Sequence, residues 1–456
     1  MMKNIAILVY PQKFKKTWRA KSNFEWRGNI GILMLKDALE RSGHPVSFCS
    51  VESSYRFDIV LVSLISIWDV YNFIAAVGSV KAWKLRSNIV IAGGWGLRNV
   101  APLRHIIDFA VFGRGENTIV ELIETILKGR DIKIDNVMNL KSYPTPVTFD
   151  QAKELYPHEI DSKPIKYKEF SLGCSRQCWF CIYTFARKFL KDGQDPYYET
   201  STKFQMSKEL IITDIKRRWN GQSVNLRTSI DGWSERLRLA FNKKIYDEDI
   251  IEAIEAASII GTSNPTHINT YMICGYPTET NEEKDKFIDL LSQAHPVGNK
   301  IVLKLILVPF RPAPLTPSAW LPADILTNWK RITTNVEVIR SPKYDVSYEN
   351  KSIESPWSLL QSLIIERATE NSDEIIKMIC FSKALDRLCA KGKVDALGNN
   401  FNLDSYTREY HIGIEQIPTW YIDSYIPNET IQRMAKTLKL NLGMEVPCCE
   451  AGEKVE

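Results

Sequence analysis

Along the first third of the chain, short apolar runs alternate with stretches whose apolar residues recur at helical spacing. Asn4–Val9 reads as a buried strand closed by Tyr10 and Pro11, and Gly28–Ser42 as a helix stopped at Gly43. Further strands are expected at Pro45–Cys49, Asp58–Ser63, Asn88–Ala92 and Asp108–Phe112, with helices between the later ones and another after Glu116. Strands that alternate with helices predict a doubly wound parallel sheet over residues 1–140. In such sheets ligands sit beyond the carboxyl ends of the strands, where glycine turns admit them to the backbone. The residues in that position are Ser63, Ser66 and Trp68 after the third strand, Gly93-Gly94-Trp95-Gly96 after the fourth, and Gly113, Arg114, Gly115 and Glu116 after the fifth.

A Pro- and Lys-containing linker, 141–164, leads to a second α/β region at 165–322. Its expected strands are Lys168–Leu172, Ser223–Ser229, Asn269–Cys274 and Lys300–Val308; its helices are Ser207–Trp219, Tyr246–Ile260 and Glu282–Gln293. Repeated strand–helix units predict an open parallel β/α barrel, whose chemistry belongs at the carboxyl ends of the strands. Residues 323–456 read as mainly helical (Asp324–Arg340, Ser355–Glu370, Ser372–Lys391, Asn428–Lys439) and are expected to cover the substrate site.

The 456 residues are too many for one ordinary domain, and 44% hydrophobic with 25% charged residues is a globular composition. A net charge of +5 permits a nucleic-acid substrate without indicating one. No apolar run is long enough to span a bilayer. The N-terminus lacks the apolar core and cleavage site of a signal peptide, and nine scattered cysteines suit a reducing compartment, so the expected location is the cytoplasm. The loop Pro11–Gly28 is basic and aromatic; it reads equally as a clamp on an anionic ligand or as a solvated loop. Cys448 and Cys449 read as redox groups or as accidents of a polar tail.

Candidate chemistry centres on SLGCSRQCWFC, where Cys174, Cys178 and Cys181 stand at C-x3-C-x2-C spacing. Iron–sulfur clusters are held by cysteine thiolates, and three ligands on a four-iron cluster leave one iron open to a small molecule. A structural zinc site is the alternative, but it wants a fourth ligand that no nearby His or Cys offers.

This spacing, with the aromatic Phe180 just before the third cysteine, resembles the signature of the radical S-adenosylmethionine (SAM) enzymes. The resemblance implies a 4Fe–4S cluster held by Cys174, Cys178 and Cys181, SAM bound at the open iron, and an external electron donor of flavodoxin or ferredoxin type. Ser229–Lys243 (SIDGWSERLRLAFNK) is similar to a family segment over the SAM side of the barrel. It suggests Ser229 and Asp231 for ribose or methionine contacts and Arg236 for the SAM carboxylate, with a helix-surface partner of Glu235 or Asp231 as the other reading of Arg236. Gly275 and Glu279 belong to a turn that resembles the family's adenine-side Gly-x-Pro-x-Glu turn. The first domain is similar to the cobalamin-binding domain that precedes many such cores. Gly31, Gly43-His44, Gly93-Gly94 and the Gly113, Gly115, Glu116 turn match in order, although the motif for a lower axial histidine is absent.

Together these features imply a cobalamin-binding radical SAM enzyme that methylates an unactivated carbon. The alternatives are a non-methylating radical reaction or a non-catalytic regulator. Methylthiotransferases are disfavoured because the first domain carries Cys49 alone where they have three cysteines.

Overall fold

The computed structural model describes residues 4–9, 30–78, 83, 86–149, 154–162, 165–167, 169, 171–186, 188–191, 208–218, 224–259, 264–323, 339, 341, 343–349, 356–368, 407–408, 410, 422–423 and 426–446. The loop Pro11–Gly28, the helix expected at Ser372–Lys391, nearly all of that at Asp324–Arg340, and Cys448 and Cys449 lie outside the described residues.

The first domain contains β1 (Ile5–Leu8), α1 (Ile30–Arg41), β2 (Val46–Cys49), β3 (Ile59–Ser63), α2 (Ile67–Gly78), β4 (Ile89–Gly93), β5 (Phe109–Val111), α3 (Glu116–Leu127) and β6 (Val137–Asn139). These strands form one sheet in the order β2-β1-β3-β4-β5-β6. The first five are mutually parallel, so the expected doubly wound sheet is present, with one correction. β6, which had no counterpart in the periodicity, closes the edge antiparallel to β5. A three-residue strand is too short to carry a period.

Because strand side chains alternate, each strand feeds two cores. Ile5, Ile7, Ile59, Leu61, Ile91 and Val111 pack with Ile32 and Leu39 of α1 and Leu122 and Ile123 of α3. Ala6, Leu8, Val60, Val62, Val90 and Ala110 face α2 instead. That second core does not stop at the domain edge: Ile182, Leu315 and residues Leu360, Leu363 and Ile364 of a later helix, Pro356–Arg367, belong to it.

The segment 141–164 is not a bare spacer. It holds β7 (Val147–Thr148), paired with Ile422–Asp423, and β8 (Ile160–Ser162), paired antiparallel with β9 (Ile165–Tyr167). Tyr156 within it donates its hydroxyl to Asp37 of α1 at 2.6 Å.

The second region continues with β10 (Ser171–Leu172), α4 (Ile182–Ala186), β11 (Leu190–Lys191), α5 (Lys208–Arg218), β12 (Asn225–Ser229), α6 (Glu235–Ala240), α7 (Asp247–Ser258), β13 (Thr266–Cys274), α8 (Asn281–Ser292), β14 (Ile301–Pro309) and β15 (Tyr344–Glu349). Among the described residues β12-β13-β14-β15 form a four-stranded parallel sheet. In both β13 and β14 buried and half-buried positions alternate strictly. The buried set packs against Ile211 of α5, Ile250 and Ile254 of α7 and Phe287 and Leu291 of α8, leaving the opposite face more open.

The strand expected at Lys168–Leu172 departs from the sequence reading. Lys168 and Phe170 lie outside the described residues; Ser171–Leu172 is a strand, and it pairs antiparallel with Leu190–Lys191 rather than joining the four-stranded sheet. The cysteine loop is therefore a hairpin-borne excursion beside the sheet. Of the C-terminal helices, Pro356–Arg367 packs on α2. The helix Asn428–Asn441 packs on the short turn Pro317–Trp320.

Candidate functional site

The strand order of the first domain reverses between β1 and β3, the place where doubly wound sheets leave a crevice. A cavity of about 230 Å³ lies at the carboxyl ends of β3, β4 and β5, bounded by α1 and the start of α3. It gathers Ser63, Gly93, Gly94, Gly113, Gly115 and Glu116 with Gly31; of the other residues expected near it, Ser66, Trp68, Gly96, Gly43 and His44 are not in its lining. Met34, Leu35, Ile91 and Leu172 give it an apolar wall. Gly94 is required twice over: its φ is +113°, and a Cβ there would stand 2.6 Å from the Leu64 carbonyl oxygen. The glycine rim and apolar wall let an apolar part of a ligand approach the backbone.

Leu172 comes from β10, two residues before Cys174, so one segment walls the cavity and delivers the cysteines. Arg114 fastens that arrangement. It bridges Glu116 at 3.3 Å in its own turn and Glu169 at 2.8 Å in the run toward β10. Glu169 in turn accepts from the Tyr156 amide at 2.7 Å. Trp95, also on the cavity wall, stacks on Tyr183 with ring centroids 4.3 Å apart, and Tyr183 follows Cys181 by two residues.

The cysteine loop is pinned from below. The Trp179 amide donates to the Phe241 carbonyl at 2.8 Å, and the Asn242 side-chain amide donates to the Gln177 carbonyl at 2.8 Å. Phe180 packs in a ring cluster with Phe241 and Tyr276, at 6.0 and 6.5 Å between centroids. Cys178 is buried, Cys174 and Cys181 are half-buried, and none of the three is in a disulfide. Burial pushes the Cys178 thiol up to about 12 and raises Cys181 as well, against the pull of Lys243 on both. Buried thiols of this kind ionise only when a metal replaces the proton.

Among the described residues no three His, Cys, Asp or Glu side chains converge as one metal ion needs. A four-iron cluster is held by cysteine thiolates, so the donor set of Cys174, Cys178 and Cys181 suits it in kind. Arg176, between Cys174 and Cys178, has a buried Nε with no hydrogen-bond partner in the structure. A donor left unpaired in this way is costly unless an acceptor completes it, and an anionic sulfide-bearing cluster is such an acceptor.

Ser229 and Asp231 stand together at the end of β12. Asp231 has φ of +58°, an unusual left-handed conformation for a residue other than glycine. Its backbone carbonyl accepts from the Tyr276 hydroxyl at 3.0 Å, and its carboxylate accepts from Lys243 Nζ at 2.8 Å. Lys243 also donates to Ser229 Oγ at 2.9 Å. Gly275 uses a φ of +81° to turn after β13, and the turn is closed by Glu279, whose Oε2 accepts from the amides of Gly275 (2.8 Å) and Tyr276 (3.3 Å). Glu279 thus shapes its own turn.

Arg236 has neither of the partners considered from the sequence. Its guanidinium, 43% exposed, pairs with Glu283 at 2.9 Å and donates to the Thr278 carbonyl at 3.0 Å. The arginine that is fully buried is its neighbour Arg238, which donates to the Ile245 and Gly232 carbonyls and to Asp247.

The sequence marks Lys243 only as the end of a segment and Arg114 only as a member of the turn after the fifth strand. Lys243 is the first of two adjacent lysines after Ala240-Phe241-Asn242, which without coordinates reads as a helix end. Arg114 pairs with a residue from another segment, and spacing cannot reveal that.

No family model matches the chain. It is 23% identical over 469 residues to the uncharacterized protein MJ0966 of Methanocaldococcus jannaschii, a match that takes in 89% of this chain and 96% of that one. Among solved structures it is similar to the cobalamin-dependent S-adenosylmethionine radical enzyme OxsB. With aqua-cobalamin bound to that enzyme, the TM-score is 0.26 at 12% identity, over 82% of this chain and 56% of OxsB. With aqua-cobalamin and S-adenosylmethionine bound, the values are 0.24 and 12%, over 72% and 51%. The chain thus spans about half the length of that enzyme, and similarity at this level does not define a shared fold.

Proposed function

We propose that this chain is a cobalamin-binding radical SAM enzyme that methylates an unactivated carbon. The observation that carries the reading is the placement of Leu172. It lines the cavity where the six first-domain residues meet and lies two residues before Cys174, so the two inferred cofactor sites adjoin. When bound, the cluster would supply the electron that splits SAM into methionine and a 5′-deoxyadenosyl radical, and cobalamin would carry the methyl group to the substrate carbon.

In this reading Cys174, Cys178 and Cys181 hold the cluster, and the Phe180 ring cluster and the Asn242–Gln177 bond keep their loop in place. Ser229 and Asp231, fixed by Lys243, face SAM; Glu279 keeps the Gly275 turn open toward it. Gly93, Gly94 and the Gly113–Glu116 turn border the corrin, and Arg114 holds that turn against the cysteine-bearing segment. The electron comes from an external flavodoxin or ferredoxin type donor. No helix among the described residues is long and apolar enough to cross a membrane.

The test is anaerobic expression with iron, sulfide and cobalamin supplied, followed by a visible spectrum and cofactor extraction. About four irons per chain with stoichiometric corrin is the expected result. Iron without corrin would remove the methyl-transfer step and favour a non-methylating radical reaction; neither cofactor would overturn the reading.

A further inference from the structure

Lys243 is 6% exposed, yet its ammonium meets two side chains, Asp231 Oδ2 at 2.8 Å and Ser229 Oγ at 2.9 Å. Burying this cation is costly, and the pairing with Asp231 (also 6% exposed) is what makes it tolerable. Nothing about the local helix demands the pair. α6 already ends at Ala240, and the Lys243 amide is satisfied by the Arg238 carbonyl.

The pair also holds Asp231 in a conformation that costs free energy, at φ +58°. Strain that several partners enforce together marks a place where geometry serves a purpose. Its position supplies the purpose. Phe241 and Asn242, the two residues before Lys243, hold Trp179 and Gln177 on either side of Cys178 by hydrogen bonds of 2.8 Å each. The Lys243–Asp231 pair therefore sits directly beneath the cysteine loop.

We propose that Lys243 is a positioning residue for the cluster site: it sets Asp231 and Ser229 at the end of β12 and, with Asp231, forms a buried pair of opposite charges whose balance tunes the reduction potential of the cluster held above it. Both charges are buried, and the residues just before Lys243 hold the backbone on either side of Cys178, so the pair acts on an electron added there. The ammonium stabilises the reduced cluster and the carboxylate destabilises it, more strongly in a buried site than in water.

The inference rests on the cluster reading above. Its test is an anaerobic redox titration of reconstituted full-length protein, followed by electron paramagnetic resonance, on wild type, Lys243→Met and Asp231→Asn. Removing the cation is expected to shift the midpoint potential negative, and removing the anion to shift it positive; the double variant should return toward wild type. A structural role alone does not move two single variants in opposite directions. If both potentials stay put, or both move the same way, the inference is overturned while the cluster reading stands. Wild-type protein that binds no iron overturns both. Should Lys243→Met fail to fold by circular dichroism, Asp231→Asn decides alone, because it keeps the side-chain volume: an unchanged or lowered potential overturns the inference.

Discussion

Arg98 donates from Nη1 to Glu366 Oε1 across 2.9 Å, tying the loop after β4 to the last turn of the helix Pro356–Arg367. Glu366 is almost wholly buried, and Arg311, just after β14, approaches its other oxygen at 3.6 Å. Next to Arg98, Asn99 donates to the Ile365 and Ala368 carbonyls at 3.0 and 2.7 Å, covering carbonyls that the helix end leaves open. Burial lowers the Arg98 guanidinium from its ordinary value, and Glu366 opposes that shift. One carboxylate thus joins the first domain, the second region and the C-terminal part.

Breaking a buried charged node by removing one member leaves the others uncompensated. Glu366→Ala is expected to destabilise the protein by about 3–5 kcal/mol, read as a lowered urea midpoint with the slope unchanged. A loss below ~1 kcal/mol, the range of exposed ion pairs, would show that the node is not closed to water.

Two glycines separate strain from collision. Gly94 and Gly129 both have positive φ, but a Cβ on Gly129 meets nothing within 4 Å, whereas on Gly94 it meets the Leu64 carbonyl at 2.6 Å. Gly129→Ala should cost about 1 kcal/mol, the left-handed penalty. Gly94→Ala should cost roughly 3 kcal/mol because backbone must also move. Urea unfolding of the two variants side by side checks the order, and equal losses would contradict the close approach.

The Tyr156–Asp37 hydrogen bond gives a pH signature with two limbs. Burial, then the bond to Asp37, raises the Tyr156 phenol above its ordinary value of 10.0, so the fold favours the neutral phenol. That contribution is complete below about pH 10 and fades as the pH rises above it. Burial acts against the Asp37 carboxylate, but the Tyr156 hydroxyl and Arg41 outweigh it and hold the group below 3.8. Its contribution is present above about pH 4 and is lost as the pH falls through the lowered value. Tyr156→Phe should therefore cost ~1.5 kcal/mol near neutrality and less at either extreme. A wild-type-minus-variant gap that stays flat from pH 3 to pH 11 would refute the assignment.

Cys178→Ala removes the most buried of the three thiols. The expected outcome is loss of the cluster's visible absorption and of 5′-deoxyadenosine formation from SAM. A variant that still releases 5′-deoxyadenosine would sink the cluster assignment.

Most of this architecture was written in local pattern. Ile59–Ser63 is an unbroken buried run that declared itself as a strand, and of Thr266–Cys274 the part from Asn269 onward did so too. The cysteine spacing, the Gly93-Gly94 turn and the Gly113–Glu116 turn are likewise local, and the cavity collects both turns because parallel strands present their carboxyl ends on one side. Period and spacing act over a few residues, and the chain alone suffices to express them.

What lies between distant residues needed the tertiary structure. β6 and β10 are too short to carry a period, and β10 leaves the sheet expected for it because its partner is β11. Arg236 took Glu283, 47 residues away, in preference to the nearby acids. Arg98 and Glu366 are separated by 268 residues. Lys243 became a buried partner of Asp231 only when α6 folded its end back beneath the cysteine loop. Charge pairing is decided by which side chains lose water together, and that follows from packing of the whole chain.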